Sequence, residues 1–255
     1  MTASIKKITS AFKGLVLTII NTKKFDVQLL KDKRVAIVGA ASSAYNSNKG
    51  EYIDGFDYVI RVNKAPLLLK EGKGLNDIGT KIDILFHSFF ENEYSGGGPL
   101  DFELYDKLGV RYVINPIPTY FGYRGIFNFY KKYLLPRKVY TLDYAPYRRL
   151  EKAFGKFRPT TGFCALHTAL ESDFKELFIT GFTFFKTAYA DGYRDTMKQA
   201  EQANKYIKES NIHNPDIEYQ EFKKLLVKNS FKRIEMDETL KQILKNDGFS
   251  NVLIN

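Results

Sequence analysis

The sequence predicts an α/β fold: a single domain with a mostly parallel central sheet and helices on both faces. Short apolar, β-branched runs bounded by charged and turn residues are typical of strands buried in a parallel sheet. Candidate helices separate these runs, as the connections between parallel strands require. The chain has 255 residues, 44% hydrophobic and 27% charged, which fits a globular protein and excludes disordered and multi-span membrane classes. The length allows one large domain or two small ones, and a single Rossmann-like domain is expected.

Strands and helices alternate along most of the chain. The predicted strands are Arg34–Gly39, Tyr58–Asn63, Ile82–Phe86, Val110–Asn115, Val139–Leu142 and Leu177–Thr180. The predicted helices between and after them are Ile126–Leu134, Tyr147–Phe154, Phe163–Glu171 and Thr196–Ser210. A further helix is expected to begin at Asn214 and Pro215, because Asn is a favoured N-cap and Pro is favoured at the first helical position.

Residues 1–30 form a basic segment ahead of the predicted domain of residues 31–255. Lys6, Lys7 and Lys13 surround the apolar run Leu15–Ile20. This run is six residues long, whereas a helix needs about 20 apolar residues to cross a bilayer, and no signal-peptidase pattern follows it. Two interpretations remain: a surface helix packed on the domain, and a basic helix that lies on a membrane.

Charge and cysteine content limit the partners and the compartment. The formal net charge of +10 suits an anionic partner, so nucleic acid, a nucleotide-sugar phosphate and an anionic membrane all remain open. Cys164 is the only cysteine, which excludes an intramolecular disulfide and fits a reducing, cytoplasmic compartment. No D-x-D motif of the kind that binds a metal follows a predicted strand.

The turn after the first predicted strand, GAASSAYNSN from residue 39, lies where open α/β sheets bind ligands. It has neither the G-x-G-x-x-G spacing of a dinucleotide-binding turn nor a P-loop pattern. Gly39, Ser42 and Ser43 are small or carry hydroxyls, so they are candidate contacts for a phosphate or a sugar. A simple tight turn is the alternative.

Four segments together are more informative than any one of them. The first is a strand, Gly39 and a small turn, followed by D-x-V-I-R-x-N-x-A-P at 57–66 and D-x-G-T-K at 77–81. The second is P-T-T-G at 159–162, and the third is a strand followed by Gly181-Phe182. The fourth is H-x-x-x-x-E at 213–218. In this order and spacing they resemble the large, small and very small sialyl motifs of the sialyltransferases in glycosyltransferase family 29. The resemblance covers residues 33–90 and 159–222, and it implies a GT-A-variant-like catalytic domain.

The resemblance assigns roles to residues at the ends of predicted elements. Asn63 and the segment Thr160, Thr161 and Gly162 would bind a CMP-sugar donor, since an amide can donate to a phosphate or ribose and a helix N-terminus favours an anion. His213 would be the general base that deprotonates the acceptor hydroxyl. The helix dipole disfavours the charged imidazolium there, so a neutral ring is expected.

Three more residues are candidates on the same resemblance. Glu218 would support catalysis by orienting a motif residue, or would merely favour the helix dipole. Tyr193 stands in a faint counterpart of the family's third motif, Gly192-Tyr193-Arg194-Asp195, and is a candidate contact for the leaving-group phosphate. His87 ends the third predicted strand and is a candidate for the donor pocket. His167, in mid-helix, is expected to be structural.

The resemblance implies an inverting, metal-independent enzyme that moves sialic acid from CMP-sialic acid to a hydroxyl of a saccharide or glycolipid, as in lipopolysaccharide or capsule synthesis. No cofactor is expected beyond the CMP-sugar co-substrate, and CMP-Kdo is the alternative donor. A Rossmann-type nicotinamide enzyme and a basic RNA-binding protein are remoter alternatives, because neither has its signature here; nucleic acid is therefore not an expected partner.

The chain also departs from the family. Animal members join two motifs by a disulfide, but the corresponding positions here are Val35 and the stretch 171–173, so packing must hold the motifs together. This agrees with a bacterial-type enzyme in the cytoplasm or at the inner face of the membrane.

Overall fold

The computed structural model describes residues 3–92, 96–193 and 199–249, and these contain one eight-stranded, parallel sheet. The strands are β1 Thr22–Lys24, β2 Arg34–Val38, β3 Tyr58–Val62, β4 Ile84–Phe86, β5 Tyr112–Asn115, β6 Val139–Thr141, β7 Glu176–Thr180 and β8 Arg233–Met236. The helices are α1 Ala3–Asn21, α2 Gly50–Asp54, α3 Ala65–Glu71, α4 Leu75–Ile78, α5 Phe102–Lys107, α6 Tyr120–Tyr133, α7 Tyr144–Ala153, α8 Thr161–Glu171, α9 Ala200–Ser210, α10 Pro215–Lys228 and α11 Glu238–Asn246. The predicted α/β class is confirmed.

All six predicted strands are present, and their ends differ from the prediction by one or two residues. The edge strands β1 and β8 are not among the predictions, because both are partly exposed and neither contains a continuous apolar run. Helix α10 begins as predicted, with the Asn214 side chain accepting from the backbone N–H groups of Asp216 and Ile217. The helix predicted over Thr196–Ser210 has its predicted first residue outside the described residues. Its described part, α9, begins at Ala200.

Two apolar layers cover the two faces of the sheet. Along β2, Val35 and Ile37 pack into one layer with helices α7, α8, α10 and α11, while Ala36 and Val38 pack into the other with α2, α4, α5 and α6. All four side chains are buried. The central strands are therefore apolar on both sides, which is why they read as continuous hydrophobic runs in the sequence.

The strand order, β1-β6-β5-β4-β3-β2-β7-β8, reverses beside β2. Gly39 and Gly181 follow β2 and β7 there, and their backbones approach so closely that a Cβ on Gly39 would lie 2.2 Å from the carbonyl oxygen of Gly181. Open α/β sheets bind ligands at the carboxyl ends of the strands beside such a reversal. The topology therefore directs attention to this edge of the sheet.

Buried polar contacts fix the loops that follow β3 in the sequence. Arg61, fully buried in β3, donates to the carbonyls of Lys81 (2.9 Å) and Ile78 (2.5 Å). Burial lowers the pKa of this guanidinium to about 10, so it stays charged at neutral pH. Asp54 accepts from the backbone N–H and the hydroxyl of Thr80. The D-x-G-T-K segment is thus held against β3.

The basic segment at the start of the chain is continuous with this fold. Helix α1 packs along α6, with Gly14 so close to Lys131 that a Cβ on Gly14 would lie 2.8 Å from the Lys131 Cα. Strand β1 then pairs with β6 at the edge of the sheet. None of the helices in the described ranges is long and apolar enough to cross a membrane.

Candidate active site

A cavity of about 790 Å³ opens at the carboxyl ends of the central strands. Its wall comes from the segments that follow β2, β3, β4, β5 and β7, together with the starts of α8 and α10. Predicted site residues in the wall are Asn63, Thr160, Thr161, Gly162, Tyr193, His213 and Glu218. Residues separated by up to 155 positions in the chain therefore meet at one place.

Asn63 lies directly after β3 with a left-handed backbone, at φ 46°. Its amide oxygen accepts the backbone N–H of Ser88 at 3.1 Å, so the amide NH₂ group remains to donate. The NH₂ nitrogen lies toward Gly96, 3.4 Å from the point where a Cβ would stand there. Both neighbours also line the cavity, so the geometry leaves Asn63 suited to donating to an acceptor oxygen in a ligand.

The P-T-T-G segment forms the N-terminus of helix α8 in the cavity wall. The Thr160 hydroxyl caps the helix by accepting the N–H of Phe163 at 3.0 Å. The N–H groups of Thr161 and Gly162, in the first turn, have no acceptor within the helix. A helix N-terminus of this kind attracts an anion through unpaired N–H groups and the helix dipole.

Glu218 connects helix α10 to this N-terminus. The buried carboxyl group accepts the backbone N–H of Thr160 at 2.6 Å and pairs with the Thr160 hydroxyl at 3.2 Å. Burial raises the pKa of Glu218 to about 8, although both hydrogen bonds from Thr160 act to lower it. Of the two interpretations of Glu218 from the sequence, its contacts are those of a residue that orients the P-T-T-G segment.

His213 lies just before α10, and its Nδ1 is 2.7 Å from the backbone carbonyl oxygen of Arg158. A carbonyl can only accept, so Nδ1 carries the proton and Nε2 of the neutral ring has a free lone pair. Burial lowers the pKa of His213, and the positive charge of Arg158 lowers it further, whereas the hydrogen bond to the carbonyl raises it. The neutral ring agrees with the sequence-based expectation, but burial rather than the helix dipole is the leading cause.

The described cavity wall does not include four of the candidate donor contacts. Gly39 packs against Gly181 beneath the cavity, and the Ser43 hydroxyl donates to Asp237 at 3.1 Å. The backbone N–H of Ser42 donates to the carbonyl of Ala188, in the loop after β7, at 3.0 Å. In the turn after β2, Ala40 and Ala41 line the wall instead.

His87 is the fourth of these candidates, and it is fully buried. Its Nδ1 accepts the backbone N–H of Phe89 at 2.9 Å, so Nε2 carries the proton. Nε2 makes no hydrogen bond of good geometry with the described residues, although the backbones of Gly97 and Gly98 lie near enough to raise the pKa of the ring. Burial lowers the pKa of His87 to about 4, so the ring is neutral and its contacts are those of a side chain that shapes the loop after β4.

Tyr193 lines the cavity, but its hydroxyl donates to the carbonyl of Val62 at 3.0 Å. Its ring stacks on Tyr189, with centroids 5.8 Å apart and an angle of 5° between the planes. Arg194 and Asp195, the rest of the predicted third motif, lie outside the described residues.

One wall of the cavity is aromatic and basic, and the motifs did not predict it. Arg158 lies over the ring of Phe121 at 4.2 Å and Arg124 lies 5.5 Å from the same ring. Lys156 adds a third cationic side chain, whereas among the described lining residues Glu218 is the single acidic one. Arg158 directly precedes the P-T-T-G segment, so that motif indicates its neighbourhood. No motif in the sequence marks the start of α6.

The described residues hold no group of three or more His, Cys, Asp or Glu side chains that could bind a metal ion. Chemically, the cavity combines hydrogen-bond donors, an aromatic and cationic wall and one histidine nitrogen able to accept a proton. This combination suits a phosphorylated, hydroxyl-rich ligand.

Comparison with known proteins extends this description. The family model of glycosyltransferase family 29 (sialyltransferase) matches residues 2–113, which is less than half of the chain. Over these residues the chain is similar to the glycosyltransferases of family 29. The match includes the large motif and Asn63, and the two later motifs lie beyond it. The comparison with curated proteins finds no match.

Solved structures of sialyltransferases share the fold of this chain. A crystal structure of a mammalian sialyltransferase has a TM-score of 0.55 and 18% identity, over 89% of this chain and 78% of that one. Another, of a mammalian sialyltransferase in complex with Gal-beta-1-3GalNAc-ortho-nitrophenol, has a TM-score of 0.52 and 17% identity, over 88% of this chain and 77% of that one.

Proposed function

We propose that this chain transfers sialic acid from CMP-sialic acid to a hydroxyl group of a saccharide or glycolipid acceptor, with inversion at the anomeric carbon. The observation that carries the proposal is the tautomer of His213. Its Nδ1–H is committed to the Arg158 carbonyl, so Nε2 is free to take a proton at the wall of the cavity.

In the proposed reaction, the acceptor oxygen attacks the anomeric carbon on the face opposite CMP. The bond from that carbon to the phosphate oxygen breaks, the acceptor proton moves to His213 Nε2, and CMP leaves with the electron pair. The Asn63 amide and the N–H groups of Thr161 and Gly162 offset the charge that grows on the departing phosphate. Glu218 acts on these donors through Thr160, so it is a positioning residue.

The charge of the cavity supports an anionic donor. A CMP-sialic acid carries a phosphate and a carboxylate, and Arg124, Lys156 and Arg158 lie in the same wall. The high pKa of Glu218 keeps that carboxyl group mostly neutral at pH 7, so it does not cancel these cations. CMP-Kdo has the same carboxylate beside its anomeric carbon and remains the alternative donor.

His213→Gln tests the base role, and His167→Gln is its matched control, because His167 is another histidine with a pKa lowered by burial and does not line the cavity. CMP affinity is measured by calorimetry and turnover by CMP release. For His213→Gln we expect turnover to fall about 10²- to 10⁴-fold while CMP affinity changes less than threefold. Full activity, or equal loss of affinity and turnover, would exclude the role.

The donor is tested with CMP-sialic acid and CMP-Kdo against a panel of acceptor sugars. Faster CMP release from CMP-sialic acid is expected, and release from CMP-Kdo alone would reassign the donor. The proposed steps use only groups of the chain, so turnover should persist in EDTA. Thermal stabilisation by CMP, but not by NADH or single-stranded RNA, is expected; the reverse would favour one of the remoter functions.

A cytoplasmic location is part of the same proposal. Its support is Cys164, which is buried and free. Fractionation of cells that express the full chain is the measurement, and recovery from the secreted fraction would contradict it.

A further inference from the structure

Helix α1 carries an unusual exposed surface. Its large apolar side chains Ile8, Phe12 and Ile19 are 67%, 67% and 70% exposed. Ile5, Leu15, Val16 and Ile20 are exposed as well. Leu17 is the α1 residue that packs against the apolar core. Contiguous exposed apolar side chains of this kind mark interaction surfaces, whereas single ones do not.

The exposed apolar stripe lies opposite the packed side of the helix. At 100° per residue, Ile8, Phe12, Leu15 and Ile19 fall within about 60° of one another. The packed side, centred on Gly14, lies about 130° away around the helix axis, and the buried Thr18 lies about 90° away. A surface helix normally buries its apolar stripe, but α1 turns a stripe of small residues to α6 and its apolar stripe to solvent.

The charged side chains of the segment that carries this stripe are all positive. Residues 1–24 contain five lysines and no Asp or Glu. Lys6, Lys7, Lys13, Lys23 and Lys24 are all exposed, and Lys24 pairs with Asp143 at 2.9 Å. A helix with an exposed apolar stripe flanked by lysines has the composition of helices that lie in the interface of an anionic bilayer.

We propose that α1 docks this protein on an anionic membrane surface, with Ile8, Phe12, Leu15 and Ile19 in the acyl boundary and the lysines at the lipid phosphates. The site is independent of the catalytic cavity. A second copy of the chain is the less favourable occupant, because a symmetric contact would bring two sets of lysines together without an acidic partner on the helix.

The full chain is tested by sedimentation with vesicles of phosphatidylcholine alone and with 30% phosphatidylserine. Binding to the anionic vesicles should be at least tenfold stronger and should weaken with salt. The triple variant Ile8→Ser/Phe12→Ser/Ile19→Ser should lose binding at least tenfold. Its far-UV circular dichroism and melting temperature should be unchanged, since these side chains do not pack in the core. Lys6→Glu/Lys13→Glu should lose the preference for phosphatidylserine.

Matched controls come from the opposite edge of the sheet. Phe231→Ser, at a side chain 78% exposed beside β8, and Lys245→Glu, on α11, should bind vesicles as the unchanged chain does. Equal binding by the triple variant and the unchanged chain, or no binding to anionic vesicles, would overturn the proposal. A dimer in light scattering that the triple variant dissociates, without vesicle binding, would assign the face to a second copy instead.

Discussion

Glu218→Gln is expected to stabilise the protein at neutral pH while lowering its activity. The wild-type carboxyl group is buried, with a pKa raised to about 8 from an ordinary value of 4.5. Between these two values the folded protein keeps a proton that the unfolded chain has released. The folded state therefore binds more protons there, and stability falls as the pH rises.

The size of the effect follows from the two pKa values. At pH 7 the unfolded carboxyl group is well above its pKa of 4.5, and at about 1.4 kcal/mol per pH unit the destabilisation relative to acidic pH is about 3 kcal/mol. Gln cannot ionise. Its oxygen can accept the Thr160 N–H, and its NH₂ group stands where a protonated carboxyl would donate to the Thr160 hydroxyl. Imperfect replacement of these hydrogen bonds costs about 1 kcal/mol, which leaves a net gain of about 2 kcal/mol at pH 7.

Urea unfolding of both proteins at pH 4.5, 6, 7 and 8 measures the difference in unfolding free energy. Other titrating groups are common to both proteins and cancel in this difference. It should rise from about zero or slightly negative at pH 4.5 to about 2 kcal/mol or more at pH 7 to 8. Glu103→Gln, at an exposed glutamate on α5, should show no comparable rise.

A pH-independent difference between Glu218→Gln and the unchanged chain would show that the carboxyl group does not titrate in this range. A variant that is less stable at every pH would show that the charged form is the one the fold needs. Either result would refute the reasoning from burial. Activity loss at neutral pH, with CMP affinity reduced, is the second expected result, because Glu218 holds Thr160 at the proposed donor side of the cavity.

Three further outcomes are expected. Burial lowers the pKa of His213, and a general base must be neutral, so the acid limb of the pH profile of kcat/KM should have its midpoint below pH 6.5. A midpoint above pH 6.5 would contradict the assignment of His213 as the base. Gly79→Ala should lower the free energy of unfolding in urea by about 1–3 kcal/mol, because at φ 71° its Cβ would lie 2.2 Å from an oxygen of Asp54. Gly155→Ala, at φ 60° in open space, should lower it less. Equal losses would contradict the steric argument. Gly162→Ala adds a methyl group that makes ordinary contacts, so the fold should persist while CMP affinity falls about tenfold; unchanged affinity by calorimetry would remove Gly162 from the donor site.

The sequence predicted the parts of the site that lie at the ends of elements. Asn63, Thr160 and His213 follow a buried strand or precede a helix, and such ends can be located from periodicity and capping signals. Parallel strands bring their carboxyl ends to one edge of the sheet, so the meeting of these residues follows from the fold class. Ser43 also follows a strand, but its hydroxyl points to Asp237, which no local pattern reveals.

What the sequence could not predict depends on tertiary contacts. The aromatic and cationic wall joins Phe121 and Arg124, at the start of α6, to Arg158 before α8. No spacing links them, because their proximity arises from packing across the sheet. The neutral state of His213 was predicted from the helix dipole, yet burial is its leading cause, and burial of a loop residue is a property of the whole fold.

Matched motif residues divide into two kinds in this structure. Asp57 accepts the backbone N–H of Arg34 at 2.8 Å, and Arg61 holds the carbonyls of Ile78 and Lys81, so both position loops around β3. Asn63, two positions after Arg61, faces the cavity. Both kinds of position strongly restrict which residue type is tolerated. Positions such as Arg61 do so because a buried charge needs hydrogen-bond partners, and Asn63 does so because a ligand needs a hydrogen-bond donor. A motif match therefore identifies the neighbourhood of the site, and the hydrogen bonds of each side chain decide which residues act on a ligand.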